Sequence, residues 1–81
     1  MSEATERNWR DLAQAIIVQA ATDYRRARYR NIKRPYQADT LREIDSIERF
    51  FRSNWFSILT SLDGRQLLHD LKKDMGLEGR A

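Results

Sequence analysis

The sequence contains no cysteine. This absence excludes a disulfide framework, a thiolate metal site and a cysteine nucleophile, and it is compatible with the reducing cytoplasm. No apolar run approaches the roughly 20 residues that a membrane span requires. The longest one, Ala15–Val18, ends at Gln19, and the N-terminus lacks the order of charged and apolar residues of a signal peptide. We therefore expect a soluble protein that stays in the cytoplasm.

Helix-breaking residues are also scarce, with three glycines and one proline in 81 residues. Because strand-like alternation is absent as well, the sequence predicts an all-α protein. We expect one small domain over residues 1–81, with an ordered core at about 6–77. Its predicted architecture is a three-helix bundle with a short additional helical segment before the last helix. A chain of this length has only a marginal core, which burial against a second molecule would enlarge.

The predicted first helix runs from Glu6 to Arg30 with Thr5 as its N-cap. Its apolar residues fall on one stripe: Trp9, Leu12, Ala13, Ile16, Ile17, Ala20, Tyr24 and Ala27. The connection is predicted at Asn31–Gln37, where Pro35 cannot continue a helix interior.

The second helix is expected to begin between Pro35 and Leu41, with Thr40 and Glu43 as a capping box. Its predicted stripe is Leu41, Ile44, Ile47, Phe51 and Trp55. Ser53-Asn54 and Asp63 are predicted to cap the two later segments, and Gly76-Leu77 to close the last one. The centre of the core is predicted at Phe50, Phe51, Trp55, Phe56 and Trp9.

Chemistry-bearing motifs are absent from the sequence. His69 is the sole histidine and lies off the last helical stripe, which is marked by Leu67, Leu71 and Met75. We interpret it as an exposed side chain. Asp70 and Asp74 share their helix with two lysines and are interpreted as a solvated charged face. No glycine-flanked serine and no glycine-rich phosphate loop is found. The sequence thus predicts a binding protein, not an enzyme, with no catalytic residue, metal or cofactor.

One strongly basic segment stands out. The net charge of the chain is only +3, yet residues 24–36 hold six basic and no acidic residues. Arginine binds phosphate oxygens in a bidentate manner, and tyrosine stacks on bases or hydrogen-bonds the backbone. The candidate nucleic-acid-binding residues are Arg25, Arg26, Arg28, Tyr29, Arg30, Lys33, Arg34 and Tyr36.

Other interpretations of this segment remain open. Cations at a helix C-terminus favour the negative end of the helix dipole, and these arginines also have acidic residues available for pairing. They would equally suit an acidic protein surface. Apart from the segment, Ala15, Val18 and Tyr29 lie away from the predicted stripe and form a candidate protein interface. A homodimer is a further alternative.

Two stretches of the sequence are WRDLAQAII at residues 9–17 and IERFFRSNWF at residues 47–56, the latter followed by Leu62-Asp63-Gly64. Both stretches resemble short proteins encoded in phages and integrative elements of Gram-positive bacteria. The resemblance covers about Asn8 to Leu71. It implies a mobile-element context in a bacterial host cell, and it implies no active site.

This context favours small proteins that act by binding. The leading hypothesis is an accessory protein that binds nucleic acid or a nucleoprotein complex through the basic segment. The alternative is an inhibitor or adaptor that binds a host or defence protein, as anti-CRISPR proteins do. Many such inhibitors mimic DNA with an acidic surface, and the basic character of this chain argues against that mode.

Overall fold

The computed structural model describes residues 3–76, with side chains described from residue 8 onwards. Over this range the chain forms four helices and no strand: α1 (Glu3–Lys33), α2 (Ala38–Arg52), α3 (Asn54–Leu59) and α4 (Gly64–Asp74). The predicted all-α bundle of three longer helices and one short segment is confirmed. The helix α1 is longer than predicted at both ends, because it begins before Thr5 and continues through Asn31 to Lys33. Thr5 is therefore not its N-cap.

The first connection is confined to residues 34–37. The amide of Arg34 still donates to the carbonyl of Arg30, and Pro35, which has no amide hydrogen, ends the series. The helix α2 then begins at Ala38, inside the predicted interval. The predicted capping box is wrong, since Thr40 lies within the helix and Gln37 is the N-cap residue, without a side-chain cap hydrogen bond. Glu43 pairs instead with Arg30.

The two later breaks follow the local sequence as predicted. The Ser53 hydroxyl donates to the Phe50 carbonyl and accepts from the Phe56 amide, so one side chain closes α2 and caps α3. The Asp63 carboxylate accepts from the amides of Arg65 and Gln66 at the start of α4. After α4, Gly76 has a left-handed backbone with φ of 74°, as a C-cap glycine requires. Its expected contact with Leu77 lies outside the described residues.

All four helices contribute to the core. Its buried side chains are Tyr24 and Ala27 of α1, Ile44 and Phe51 of α2, Phe56 of α3, and Leu68 and Leu71 of α4. The rings of Phe50, Phe51 and Phe56 lie within 5.7 Å of one another, centroid to centroid, and largely edge to face. The predicted aromatic centre is confirmed for these three residues.

The two tryptophans do not belong to this core. Trp9 is 47% exposed and Trp55 is 64% exposed. For Trp9 the reason is length: α1 is about 46 Å long and α2 only about 22 Å, so α2 cannot cover the N-terminal part of α1. Leu12 and Ile16 of the predicted stripe are exposed for the same reason. Trp55 follows the break at Ser53, where the stripe of α2 ends.

Candidate nucleic-acid interface

The basic segment occupies the last turns of α1 and the connection to α2. Its cations differ in their environments, because α2 packs against only one side of α1. Arg28 is partly buried, whereas Arg25, Arg26, Arg30, Lys33 and Arg34 are exposed. The structure thereby separates the candidate residues into an internal and an external group.

Arg28 belongs to the internal group. Its Nη2 atom lies 2.9 Å from Glu48 Oε2, and its Nε and Nη2 atoms donate to the Tyr24 hydroxyl oxygen at 3.1 and 3.0 Å. The Tyr24 hydroxyl in turn donates to Glu48 Oε2 at 2.6 Å. Since Tyr24 is fully buried, these bonds satisfy a polar atom inside the core. Arg28 thus supports the fold, and its guanidinium already has partners within the protein.

Glu48 is the centre of this arrangement, which we call the Glu48 network. Besides Tyr24 and Arg28, it attracts Lys72 Nζ at 3.6 Å and Arg52 Nη2 at 3.5 Å, so it links α1, α2 and α4. Burial alone would raise the pKa of Glu48. The hydrogen bond from Tyr24 and the charges of Lys72, Arg28 and Arg52 outweigh burial and hold that pKa below 4.5.

The same burial acts on the phenol of the network. Burial, together with the hydrogen bond to the Glu48 carboxylate, raises the pKa of Tyr24 to about 12, against the opposing effect of Arg28. Folding therefore favours the protonated phenol. This contribution to stability is complete below pH 10 and is lost as the pH rises towards 12.

Arg30 also has an intramolecular partner. It pairs with Glu43 of α2, and both side chains are about half exposed. An exposed pair of this kind stabilises a protein by less than about 1 kcal/mol, but it offsets the charge of the arginine locally. Arg30 is thus a weaker candidate for phosphate binding than its exposure alone suggests.

The external group consists of the four exposed cations that have no ion pair and of two exposed tyrosines. Arg25, Arg26, Lys33 and Arg34 form no ion pair with any residue between 8 and 76. At 100° per residue, Arg25, Arg26, Tyr29 and Lys33 fall within an arc of about 100° on the side of α1 opposite the core. We call these four residues the basic face. Arg34 and Tyr36 follow at its C-terminal end.

A cleft adjoins the basic face where α1 ends and α2 begins. Its volume is about 360 Å³, and it is lined by Arg30, Lys33, Arg34, Gln37, Asp39 and Thr40. The first amides of α2 add partial positive charge there, while Asp39, which pairs with Arg42, reduces it. The cleft extends the basic surface from α1 to the start of α2.

Tyr36 has an unusual conformation within this surface. Its φ is 67°, and its side chain is 87% exposed. A non-glycine residue in this region is uncommon, and asparagine or glycine adopts it at lower cost. Neither burial nor a hydrogen bond of the phenol explains why a tyrosine stands here. A strained, exposed aromatic residue of this kind suggests a functional role.

The second predicted site, a protein interface at Ala15, Val18 and Tyr29, is distributed over three places. All three residues are exposed. Ala15 lines a groove between α1 and α2, Val18 lines another between α1 and α3, and Tyr29 lies on the basic face.

Outside these surfaces, the described residues hold no cluster of three or more metal-ligating side chains. Within the same range, no helix combines the length and the apolar character needed to cross a membrane. His69 is exposed, as predicted. It lines a basic cleft of about 380 Å³ together with Arg52, Arg65, Leu68 and Lys72.

Sequence reasoning missed the Glu48 network and the cleft around His69. A signal for part of the network was present, because Glu48 stands four residues after Ile44 and three before Phe51, on the buried side of α2. The contribution of Lys72 had no such signal, since it depends on how α4 packs.

Comparison of the chain with protein-family models, curated proteins and solved structures found no match. The proposals below therefore depend on the geometry of this chain.

Proposed function

We propose that this protein is a non-catalytic accessory protein that binds nucleic acid through phosphate contacts of the basic face, extended by Arg34 and Tyr36. The observation that carries the proposal is the difference between paired and unpaired cations within the basic segment. Arg28 and Arg30 are engaged internally, whereas four cations face solvent beside two exposed tyrosines, without acidic partners in the described chain. A segment that served only to balance charge would pair most of its cations.

The dimensions of the basic face suit a nucleic-acid backbone. Arg25 and Lys33 are eight residues apart, which is about 12 Å along a helix. Duplex DNA carries one charge per roughly 1.7 Å of its axis, so this length spans several phosphates. Tyr29 lies between the two cations and can hydrogen-bond a backbone oxygen or stack on an unpaired base. These contacts give affinity without base-specific recognition, so we expect little dependence on sequence.

The proposal predicts a steep dependence of affinity on salt. Neutralising four phosphates gives a slope of log K against log [salt] of about −3.6 for duplex and about −2.8 for single-stranded DNA. Affinity for a duplex should fall about 100-fold between 50 and 200 mM salt. In the triple variant Arg25→Gln, Arg26→Gln, Lys33→Gln, only Arg34 remains of the four, and the slope should fall to about −1. Fluorescence anisotropy with labelled duplex and single-stranded oligonucleotides measures the affinity and the salt slope of each protein.

The matched control is the triple variant Arg49→Gln, Arg65→Gln, Lys73→Gln. It removes the same three charges from exposed positions elsewhere, so it separates the basic face from the net charge of the protein. Its slope should equal that of the wild type. The proposal is wrong if the wild type does not bind at 50 mM salt, or if both triple variants lose affinity equally. Absence of binding would favour an acidic protein surface as the partner of these arginines.

Tyr36→Asn tests the tyrosine separately from the charges. Because asparagine tolerates a left-handed backbone, the variant should be at least as stable as the wild type in urea denaturation. Loss of the aromatic ring should nonetheless weaken single-strand binding by about 1 kcal/mol or more, which is at least fivefold. Unchanged affinity would remove Tyr36 from the interface.

A further inference from the structure

A second basic cleft lies where the end of α2 meets α4, and its volume is about 380 Å³. The described residues that line it are Arg52, the last residue of α2, and Arg65, Leu68, His69 and Lys72 of α4. They include three cations and no carboxylate. At 100° per residue, the three polar residues of α4 fall within an arc of about 60°, and Asp70 lies about 100° beyond it. We call this site the α2–α4 cleft.

Two cations of the α2–α4 cleft are only weakly neutralised by the protein. Arg52 and Lys72 pair with Glu48 at 3.5 and 3.6 Å. Both distances exceed the length of an ordinary hydrogen bond between nitrogen and oxygen, which is about 2.7–3.2 Å. Glu48 pairs more closely with Arg28, at 2.9 Å, and it also accepts from Tyr24. One carboxylate is thus shared by three cations, and most N–H donors of the two cleft cations remain for a ligand.

The third cation, Arg65, has no part in the Glu48 network. It is exposed and forms no ion pair with any residue between 8 and 76. The two carboxylates closest to it along the chain have other partners, since Asp63 accepts from two backbone amides and Asp70 from the side chain of Gln66. A cleft lined by charges of one sign concentrates the field and attracts an ion of the opposite sign. Support of the core therefore does not explain this third charge, whereas an anion in the cleft does.

We propose that the α2–α4 cleft binds a phosphate monoester, which is a phosphate group attached through a single oxygen. Such a group carries about 1.5 to 2 negative charges at neutral pH and three terminal oxygens, so it compensates several cations better than the single charge of a phosphodiester does. Arginine binds two of these oxygens in a bidentate manner, and lysine adds a point charge. The volume of the cleft lies within the range of small-ligand sites, about 300–1,000 Å³, so part of the ester group also fits.

The two other basic surfaces of the molecule are less suited to a single terminal phosphate. The basic face lies on the outer side of α1, opposite the core, where its cations are spread along the helix and suit a continuous backbone. The cleft at the start of α2 has Asp39 in its wall, and the charge of its Arg30 is offset by Glu43. The α2–α4 cleft combines a concave shape with cations from two helices, so it is the site where one doubly charged group fits best.

An NMR titration with ribose 5-phosphate in a phosphate-free buffer tests the site, and ribose is the matched compound without the phosphate. The backbone amides of residues 65–72 should shift with ribose 5-phosphate and not with ribose. Arg65→Gln, which leaves the Glu48 network intact, should weaken binding about tenfold, and the double variant Arg52→Gln, Arg65→Gln about 100-fold, since each removes hydrogen bonds to a charged group. The control Arg49→Gln, Lys73→Gln removes two charges from exposed positions of the same two helices and should bind as the wild type does.

A wild type that does not respond to ribose 5-phosphate up to about 10 mM, a range that covers millimolar affinity, would overturn the proposal. Equal losses in the two double variants would also overturn it. A short oligonucleotide with a 5′-phosphate, compared with the same strand with a 5′-hydroxyl, identifies the source of the ligand. Larger shifts of residues 65–72 with the phosphorylated strand would indicate a strand end, and equal shifts a small phosphate ester. The salt titrations of the basic face use strands with hydroxyl ends, so Arg65 is a valid control there and each proposal can fail without the other.

Discussion

Replacing Gly64 with alanine should lower the free energy of unfolding by about 3 kcal/mol, near the upper end of the usual cost of overpacking. Gly64 is the first residue of α4 and is buried. A Cβ at this position would lie far inside van der Waals contact with the Phe51 carbonyl oxygen, and 2.9 Å from Cδ1 of Phe56. Because the nearest atom belongs to the backbone of α2, no side-chain rotation relieves the clash. The two helices must separate, and the phenylalanine cluster must open with them.

The sign of this effect distinguishes packing from helix propensity. At a free helical position, glycine to alanine stabilises a protein by about 0.5–1 kcal/mol. The total stability expected for 81 residues is roughly 4–12 kcal/mol. A loss of 3 kcal/mol should lower the melting temperature by about 12–24 °C, which thermal and urea denaturation followed by circular dichroism will measure.

The control is Gly76→Ala, which makes the same chemical change in open space. Nothing lies within 4 Å of a Cβ at Gly76, but its φ of 74° imposes a cost of about 1 kcal/mol. Gly64→Ala should therefore be clearly the more damaging variant. If it proves as stable as the wild type, the close approach of α4 to the end of α2 is not what positions the two helices.

The helices could be predicted from the sequence because their boundaries depend on local chemistry. Pro35 ends the amide series of α1, Ser53 bonds to Phe50 and Phe56, and Asp63 accepts from the two amides that follow it. Each of these interactions spans no more than four residues. The capping box predicted at Thr40 and Glu43 does not form, because Thr40 lies inside α2. Glu43 pairs instead with Arg30 of α1, which is distant in the sequence.

Burial could not be predicted with the same success. The apolar periodicity of α1 identifies the apolar side of the helix, but it does not indicate how much of that side a neighbour covers. Trp9, Leu12 and Ile16 satisfy the pattern as well as Ala13 and Ile17 do. They are exposed because of the length of α2, which is a property of another part of the chain.

The candidate interface was predictable only in part for a related reason. Counting charges locates the basic segment, yet it treats Arg25 and Arg28 alike. Only the register of the antiparallel α1–α2 pair, which brings Glu48 to Tyr24 and Arg28, shows that Arg28 is internal. Contacts between residues 20 or more apart leave little trace in a single sequence.

Glu48→Ala should cost about 3 kcal/mol at pH 7. Removing one member of a buried ion pair costs about 3–5 kcal/mol, and we take the lower limit because Arg28 and Lys72 are 24% and 20% exposed and thus partly screened. The variant leaves the fully buried Tyr24 hydroxyl without its acceptor, and it leaves three cations, Arg28, Arg52 and Lys72, without their ion-pair partner. Glu48→Gln retains the volume and an acceptor oxygen but no charge, and it should cost about 1–2 kcal/mol.

The pH dependence identifies the contribution of the charge. The folded-state pKa of Glu48 is lowered, so its ionised form contributes stability that is complete above the unfolded value of 4.5 and is lost as the pH falls through the folded value. The gap in unfolding free energy between the wild type and Glu48→Gln should thus be constant from pH 7 to about 5 and should shrink towards pH 3. Other carboxyl groups titrate in both proteins, so their contributions largely cancel in the difference.

Glu43→Gln is the matched control for this series. Glu43 also pairs with an arginine of α1, but both partners are about half exposed, and the loss should stay below about 1 kcal/mol. A gap between the wild type and Glu48→Gln that does not change with pH would show that ionisation of Glu48 contributes nothing to stability. The network would then be a set of hydrogen bonds only. A gap that closes in acid shows that the charge of Glu48, through its attraction to Arg28 and Lys72, stabilises the fold beyond what the hydrogen bonds contribute.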